Sequence, residues 1–245
     1  MLDSYRPKLA ELEESKGLPS TTTEAGYALL ALAAADHPAD ETTAALVKYL
    51  LGRQKEDGAW RSGVSRPPIE GSAFTPTALA MRGLLKYGPA DDARIKKAVA
   101  AGRQWLLTNR PATTEDKVFR LRGLVDTGAP RADVETARAE LLKDQRPDGS
   151  WARLATMDEG DAYATGSALV ALRAAGVATT DPAYRKAVQR LLAMRRHDGG
   201  WLVPTRSTPV QIYFDNGDPG DRSQFVSMAA TNWAVQALLE TYPAR

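Results

Sequence analysis

Acidic residues stand just before two of the Ala-rich segments in this sequence. Glu70 precedes the segment 75–87, while Asp158 lies before and Asp161 begins the segment 161–175. A desolvated carboxylic acid can protonate a substrate, because burial favours its neutral form. An acid at a helix N-terminus can instead accept backbone N–H bonds as a cap. We therefore predict Glu70, Asp158 and Asp161 as candidate catalytic acids, with helix capping as their alternative role.

Aromatic residues on or near the same kind of segment are candidates for contacting an apolar substrate. Aromatic ring faces attract positive charge, so they can stabilise a carbocation as well as pack against a hydrocarbon. Packing within the protein core is the alternative role for each ring. The candidate substrate-binding residues are Phe74, Phe119, Tyr163, Tyr213, Phe225 and Trp233.

A repeated tryptophan motif organises the chain. Residues 54–60, 145–151 and 195–201 each contain Asp-Gly-x-Trp, and a worn copy without the Asp-Gly turn lies near Trp105. The spacing indicates units of about 45 residues, which are typical of helix pairs or propeller blades. Apolar residues before each motif follow helical spacing, and no stretch alternates as a strand does. The pattern therefore predicts an all-α fold of helical hairpins.

The hairpins are predicted from small-residue segments that alternate with segments of larger side chains. Glycine and proline punctuate their ends, and Asp91, Asp133 and Asp181 are predicted as N-caps of the larger helices. Residues 9–15 are a further helix candidate. The five small-residue helices are expected at 24–35, 75–87, 116–125, 161–175 and 223–242.

Within the motif, the tryptophan is expected to tie one hairpin to the next. Glycine permits the tight turn, which brings the indole against the neighbouring hairpin. A glutamine three residues before the aspartate can bond the helix-end carbonyls or the indole N–H. A structural role is therefore predicted for Trp60, Trp151 and Trp201.

The Gln-x-x-Asp-Gly-x-Trp pattern resembles the QW motif of terpenoid cyclases, including squalene–hopene cyclases, and of the wider prenyltransferase and squalene-oxidase repeat group. Residues 212–219, 223–225 and 229–234 look like the end of small bacterial proteins of that group. The resemblance implies an α/α toroid of about five hairpins, with residues 1–245 as one domain. It also implies a central apolar cavity for an isoprenoid or related lipid.

The chain departs from class II terpene cyclases at their acid motif, Asp-x-Asp-Asp-Thr. Ala73 and Phe74 stand before Thr75 where the adjacent acids belong, and Tyr163 and Ala164 stand before Thr165. The resemblance implies cyclisation by protonation, for which Glu70 or Asp158 would have to supply the acid. The alternatives are a non-catalytic lipid-binding or assembly module and a carbohydrate-active α/α barrel hydrolase or lyase with that pair as acid and base.

Composition excludes several kinds of chemistry. The chain has no cysteine and two histidines, which excludes disulfides, thiol nucleophiles, cysteine-ligated metals and three-histidine sites. Residues 215–221 loosely resemble a calcium loop, but Val226 stands where its final glutamate belongs. We predict no metal and no cofactor.

Charge and hydropathy restrict the partners. A net charge of +2 is too balanced for a dedicated nucleic-acid binder. The longest apolar run, residues 27–35, is too short to span a membrane, and the N-terminus lacks a signal-peptide core. A cytoplasmic protein is expected. An open edge of the toroid would invite a homodimer or a partner domain.

Overall fold

The computed structural model describes residues 2–18, 21–208 and 212–242, and its regular secondary structure over these ranges is entirely helical. The chain forms two compact units. Unit 1 comprises residues 1–65, 69–110 and 123–130, and unit 2 comprises residues 66–68, 111–122 and 131–245. No helix within the described ranges is both long enough and apolar enough to cross a membrane.

Two short helices precede a series of longer ones in unit 1. Its helices are α1 (Leu2–Tyr5), α2 (Leu9–Glu13), α3 (Thr21–Ala34), α4 (Glu41–Arg53), α5 (Phe74–Tyr87) and α6 (Ala93–Thr108). Helix α7 (Thr114–Asp126) contributes residues to both units. The helices of unit 2 are α8 (Arg131–Lys143), α9 (Ala162–Ala174), α10 (Pro182–Ala193) and α11 (Gln224–Leu239).

Small residues allow close packing of the alanine-rich helices within each unit. In unit 1, α3 packs against α5, and α2 packs against α4. In unit 2, α9 packs against α11. A Cβ added at Gly166 of α9 would lie 2.9 Å from the backbone nitrogen of Ala234 on α11. A larger residue at Gly166 would therefore force α9 and α11 apart.

The three Asp-Gly-x-Trp segments, here called the tryptophan turns, share one pattern of hydrogen bonds. Each indole N–H donates to a carbonyl of the preceding helix over 2.7–2.8 Å, and each tryptophan backbone N–H donates to a threonine hydroxyl over 3.0–3.2 Å. The threonine lies in the helix that follows the turn. The sets are Trp60 with Leu50 and Thr77, Trp151 with Leu141 and Thr165, and Trp201 with Leu191 and Thr231. Each turn thus fastens two helices together, which confirms the predicted structural role.

The first two tryptophan turns are also tied to the next large-residue helix. Gln54 donates from Nε2 to the carbonyl of Ala98 on α6 over 2.8 Å, and Gln145 donates to that of Ala183 on α10 over 2.9 Å. Arg195 occupies the glutamine position in the third turn. The third turn therefore lacks the glutamine tie.

The alternating small-residue and large-residue helices are present where the sequence predicts them. Asp181 caps α10 as predicted, since Oδ1 accepts a bond from the N–H of Ala183 over 2.8 Å. The predictions for Asp91 and Asp133 are wrong. Asp92 caps α6, and Asp133 lies within the first turn of α8 because this helix begins at Arg131. The expectation that residues 1–245 form a single domain stays a prediction.

Candidate functional site

A buried carboxyl group and a buried phenol meet inside unit 2. Tyr163 on α9 donates a hydrogen bond from its hydroxyl to Oε2 of Glu115 on α7 over 3.1 Å. Glu115 is 5% exposed and Tyr163 is 1% exposed. The burial shields this carboxyl group from water, and the bond from the phenol holds it in one orientation.

Two aromatic rings and a guanidinium group lie on the same stretch of unit 2. The rings of Phe119 on α7 and Trp233 on α11 meet edge to face, with centroids 6.3 Å apart. The guanidinium carbon of Arg122 lies 5.7 Å from the Phe119 centroid and 5.2 Å from the Trp233 centroid. Arg122 is itself buried. The two rings therefore already hold a positive charge by cation–π attraction.

Helical spacing explains why these groups share one face of α7. Glu115, Phe119 and Arg122 follow at i, i+4 and i+7, so they lie along one stripe of the helix. Asp116 fixes the start of α7, because its Oδ2 accepts bonds from the N–H groups of Ala112 and Thr113, both over 2.9 Å. We call Glu115, Phe119, Arg122, Tyr163 and Trp233 the α7 cluster.

The α7 cluster contains three of the six predicted aromatic residues, Phe119, Tyr163 and Trp233, together with an acid that sequence reasoning missed. The sequence predicts this helix over 116–125, whereas α7 begins at Thr114, so the prediction leaves Glu115 outside the helix. The available signal was a charged residue in register with Phe119 on a small-residue helix. Such a position is expected to be buried, and a buried charge is uncommon without a partner.

Asp161, a predicted catalytic acid, has two structural partners in unit 2. Its Oδ1 accepts a bond from the N–H of Ala164 over 2.9 Å, which caps α9. Its Oδ2 accepts from Nε of the buried Arg153 over 2.6 Å. The guanidinium group of Arg153 also donates to the carbonyl of Pro204 over 2.9 Å. These contacts give Asp161 the predicted capping role, and its catalytic role stays a prediction.

Arg206 lies in the electrostatic environment of the same pair. Its pKa is lowered by burial and by the positive charge of Arg153, and the negative charge of Asp161 opposes that shift.

Asp158, the other predicted acid of unit 2, is exposed, and its backbone carbonyl accepts a bond from Arg146. A solvated carboxyl group lacks the burial that favours the neutral, proton-carrying form.

Glu70 occupies a protected position in unit 1. It is 7% exposed, and its Oε1 accepts a bond from the hydroxyl of Ser62 over 3.0 Å. It lines a partly open pocket of about 440 Å³ formed by residues 61–65 and 70–73. Serine hydroxyl groups and Arg61 contribute to the lining of this pocket together with the apolar Val64 and Ala73.

The other predicted aromatic residues lie elsewhere. Phe74 is buried against Trp105 in unit 1, with ring centroids 4.9 Å apart. Phe225 is half exposed and meets Phe214 at 5.7 Å. Tyr213 is also half exposed, and its pKa is raised by desolvation and by a hydrogen bond with Asp221. Their roles in substrate binding stay predictions.

The loop that resembles a calcium site uses its side chains on its own backbone. Asp215 accepts a bond from the N–H of Gly217 over 2.8 Å, and Asp218 accepts from that of Gly220 over 2.8 Å. Within the described ranges, no three histidine, aspartate or glutamate side chains gather in a way that would hold a metal ion.

The amino-acid sequence of the chain is similar to those of known proteins. The squalene-hopene cyclase C-terminal domain family matches residues 111–244. A squalene–hopene cyclase of Bradyrhizobium diazoefficiens is 35% identical over 130 residues, covering 51% of this chain and 18% of the relative. A probable squalene–hopene cyclase of Sinorhizobium fredii is 41% identical over 101 residues, covering 41% and 14%. The chain thus spans less than a fifth of the length of these relatives.

Solved structures show the same fold at low identity. The type II terpene cyclase MstE from Scytonema, solved as a variant in complex with its substrate geranylgeranyl dihydroxybenzoate, has a TM-score of 0.59 and 16% identity, with 89% of this chain and 73% of that chain covered. An ent-copalyl diphosphate synthase from Streptomyces platensis has a TM-score of 0.57 and 19% identity, with 89% and 50% covered. These likenesses confirm the predicted all-α, α/α toroid fold class.

Proposed function

Because this chain belongs to the squalene-hopene cyclase C-terminal domain family, we propose that it binds an isoprenoid or related lipid and cyclises it by protonation. The proposal retains the predicted central apolar cavity as the place where the lipid binds. Family membership supports the class of ligand, and the α7 cluster supports the chemistry.

The bond between Glu115 and Tyr163 carries the proposal. An alkene is a very weak base, so its protonation needs a carboxylic acid that is neutral and shielded from water. Glu115 has that shielding, and the Tyr163 hydroxyl fixes the direction of its carboxyl group. In the proposed step, the Glu115 O–H bond breaks as its proton adds to an alkene carbon, which leaves a carboxylate and a carbocation. A second alkene of the same chain closes a ring on that carbocation, and the cyclised cation loses a proton to the carboxylate, which restores the acid.

Arg122 sets the orientation that we propose for the lipid. A fixed guanidinium repels a nearby carbocation, but it binds the acceptor oxygens of a phenolic, carboxylate or phosphate head group. Glu115 and Arg122 are seven residues apart on α7, which is about 10 Å along the helix. A prenyl chain with its head at Arg122 therefore places an alkene in the region of Glu115.

Glu70 supports the second candidate function, a carbohydrate-active or other polar-ligand protein. Its pocket is partly open, and three serine hydroxyl groups in its lining could bind a polyol. The predicted acid–base pair of Glu70 with Asp158 is the weaker part of this candidate, since Asp158 is exposed. The non-catalytic alternative keeps the lipid and omits the proton transfer.

The three functions are distinguished by one experiment on the purified chain. Native mass spectrometry is expected to detect a retained lipid or added geranylgeranyl dihydroxybenzoate, and gas or liquid chromatography of extracted products then reports cyclisation. A bound sugar with no lipid bound would favour the polar-ligand candidate. Lipid binding without any product would leave the non-catalytic module. The proposal would be overturned if the chain bound none of these lipids and formed no product from squalene, geranylgeranyl diphosphate or geranylgeranyl dihydroxybenzoate.

A further inference from the structure

Residues 151–153 hold the start of α7 in unit 2. The hydroxyl of Thr114 donates to the carbonyl of Ala152 over 2.6 Å, and the N–H of Thr114 donates to the carbonyl of Arg153 over 3.2 Å. Thr114 is the first residue of α7 and directly precedes Glu115. The backbone of this short segment therefore holds the end of α7 that carries the proposed acid.

The same segment also holds the start of α9. The N–H of Asp161 donates to the carbonyl of Trp151 over 3.0 Å, and the N–H of Trp151 donates to the hydroxyl of Thr165 over 3.1 Å. Asp161 is the N-cap of α9, and its Oδ2 accepts the bond from Nε of Arg153 over 2.6 Å. Because Tyr163 follows in the first turn of α9, the place of its phenol depends on where the segment and Arg153 hold the cap.

Arg153 reaches a third element through Nη2. This nitrogen donates to the carbonyl of Pro204 over 2.9 Å. The stretch around Pro204 is fastened to α11, since the N–H of Val203 donates to the hydroxyl of Ser227 over 3.1 Å. Helix α11 carries Trp233 of the α7 cluster. Arg153 therefore joins the supports of all three helices that contribute to this cluster.

Stability alone explains Arg153 poorly. Its side chain is 3% exposed, and within the described ranges its Nη1 makes no hydrogen bond. A buried donor without a partner costs free energy, and apolar residues often replace a buried ion pair without loss of stability. A guanidinium group does hold several acceptors at fixed angles, because its donors lie in one rigid plane. The bonds to Asp161 and Pro204 use this property.

We propose that Arg153 is a positioning residue for proton transfer from Glu115, an inference that rests on the proposed function. Arg153 acts through the starts of α7 and α9, which present Glu115 and Tyr163 to each other. A misplacement of about 1 Å at a reacting group can cost on the order of 100-fold in rate. Lipid binding is left to the aromatic rings and Arg122, so the loss of Arg153 affects the chemical step more than binding.

Steady-state kinetics of a charge-balanced variant test the proposal. In Arg153→Met/Asp161→Asn the guanidinium and its counter-charge are removed together, and asparagine can still cap α9, so circular dichroism should show a folded protein. With rates normalised to the folded fraction, kcat is expected to fall at least roughly tenfold while KM stays within about twofold of wild type. Arg131→Met removes an exposed ion pair at the start of α8 in the same unit, and should keep both constants.

The conservative variant Arg153→Lys separates the two bonds of the guanidinium group. An ammonium group can pair with Asp161 but lacks the planar set of donors that also reaches Pro204. Because the bond to Asp161 is the one that sets the start of α9, kcat is expected to recover to within about threefold of wild type. A lysine variant as slow as Arg153→Met/Asp161→Asn would contradict this assignment.

A spectroscopic measurement tests the positioning without any turnover. In a chain labelled with carbon-13 at Cζ of its 8 tyrosines, the signal that disappears in Tyr163→Phe belongs to Tyr163. Its chemical shift responds to the hydrogen bond donated to Glu115, whose strength depends on distance and angle. Arg153→Met/Asp161→Asn is expected to shift this signal, and Arg131→Met should leave it in place.

The outcomes distinguish the positioning role from the proposed function. An unchanged Tyr163 signal in Arg153→Met/Asp161→Asn would overturn the positioning role, whether or not the chain cyclises a lipid. A wild-type kcat in that variant, or an equal loss of kcat in Arg131→Met, would overturn it as well. If wild type forms no product but the Tyr163 signal moves, then the proposed protonation is wrong and Arg153 still sets the geometry of the Glu115–Tyr163 pair.

Discussion

The hydroxyl of Tyr163 donates to Oε2 of Glu115 over 3.1 Å inside unit 2, and both side chains are almost fully buried. The bond joins α7 to α9 at the start of each helix. Burial of an acid costs free energy unless it is hydrogen-bonded, so the phenol stabilises the position of Glu115. The burial of both side chains keeps the acid away from water, and the proposed protonation depends on this acid.

The first prediction concerns the proposed acid. Glu115→Gln keeps the shape and can still accept the Tyr163 bond, but it has no acidic proton, so the rate of cyclisation is expected to fall at least 100-fold. Lipid binding measured by native mass spectrometry should persist. Tyr163→Phe removes only the orienting group, and we expect a smaller loss of rate, on the order of tenfold.

Two matched variants interpret this result. Glu56→Gln changes an exposed acid of the first tryptophan turn and should leave turnover unchanged. Glu70→Gln tests a second buried acid. If Glu70→Gln loses all turnover while Glu115→Gln keeps normal turnover, then Glu70 is the proton donor. Product formation at the wild-type rate in Glu115→Gln refutes the assigned role of Glu115.

The second prediction concerns the buried ion pair of Arg153 and Asp161. Asp161→Asn keeps a side chain able to cap α9, but it leaves the Arg153 guanidinium buried without its counter-charge. The free energy of unfolding is expected to fall by about 3 kcal/mol, as for other broken buried pairs. Equilibrium unfolding in urea measures this loss.

Double mutation separates the charge effect from capping. Replacing Arg153 by Met in the Asp161→Asn background removes the unpaired charge, so the double variant should be more stable than the sum of the two single losses indicates. Glu135→Gln removes one partner of the exposed pair with Arg131, and its effect should be much smaller than that of Asp161→Asn. Additive losses in the double variant would contradict the ion-pair explanation.

The helices were predictable from sequence, because tryptophan turns and Gly–Pro breaks repeat with a fixed order. Trp151, for example, has the structural role that the motif predicts, although its bonds to Leu141 and Thr165 could not be read from the motif. The site was only partly predictable. Phe119 and Trp233 were named, but their pairing depends on the approach of α7 and α11, which no local pattern encodes. Glu115 escaped because burial of an acid inside a helix is decided by tertiary packing.

The third prediction concerns the tie between hairpins. Gln145→Ala removes the bonds from Nε2 to the carbonyls of Gly149 and Ala183, so the free energy of unfolding should fall by about 1–3 kcal/mol. Arg195→Ala changes the equivalent position of the third tryptophan turn, where the side chain is exposed, and should cost less than about 0.5 kcal/mol. Urea unfolding followed by tryptophan fluorescence compares them. Equal losses would mean that the tie adds nothing.

The fourth prediction concerns acid stability at the first tryptophan turn. Hydrogen bonds from the Arg61 guanidinium, with a smaller contribution from the N–H of Ala59, lower the pKa of Asp57 from 3.8 to about 2. A carboxyl group whose pKa is lower in the folded state stabilises that state above its unfolded pKa, and this contribution is lost as the pH falls from about 4 toward 2. Asp57→Asn cannot titrate, so its unfolding free energy should fall less steeply over this interval than that of wild type. Urea midpoints at pH 5, 4, 3 and 2.5 measure the difference. Glu56→Gln removes the same charge from the neighbouring residue, and if its slope matches that of Asp57→Asn, then overall charge and not the Arg61 pair is responsible.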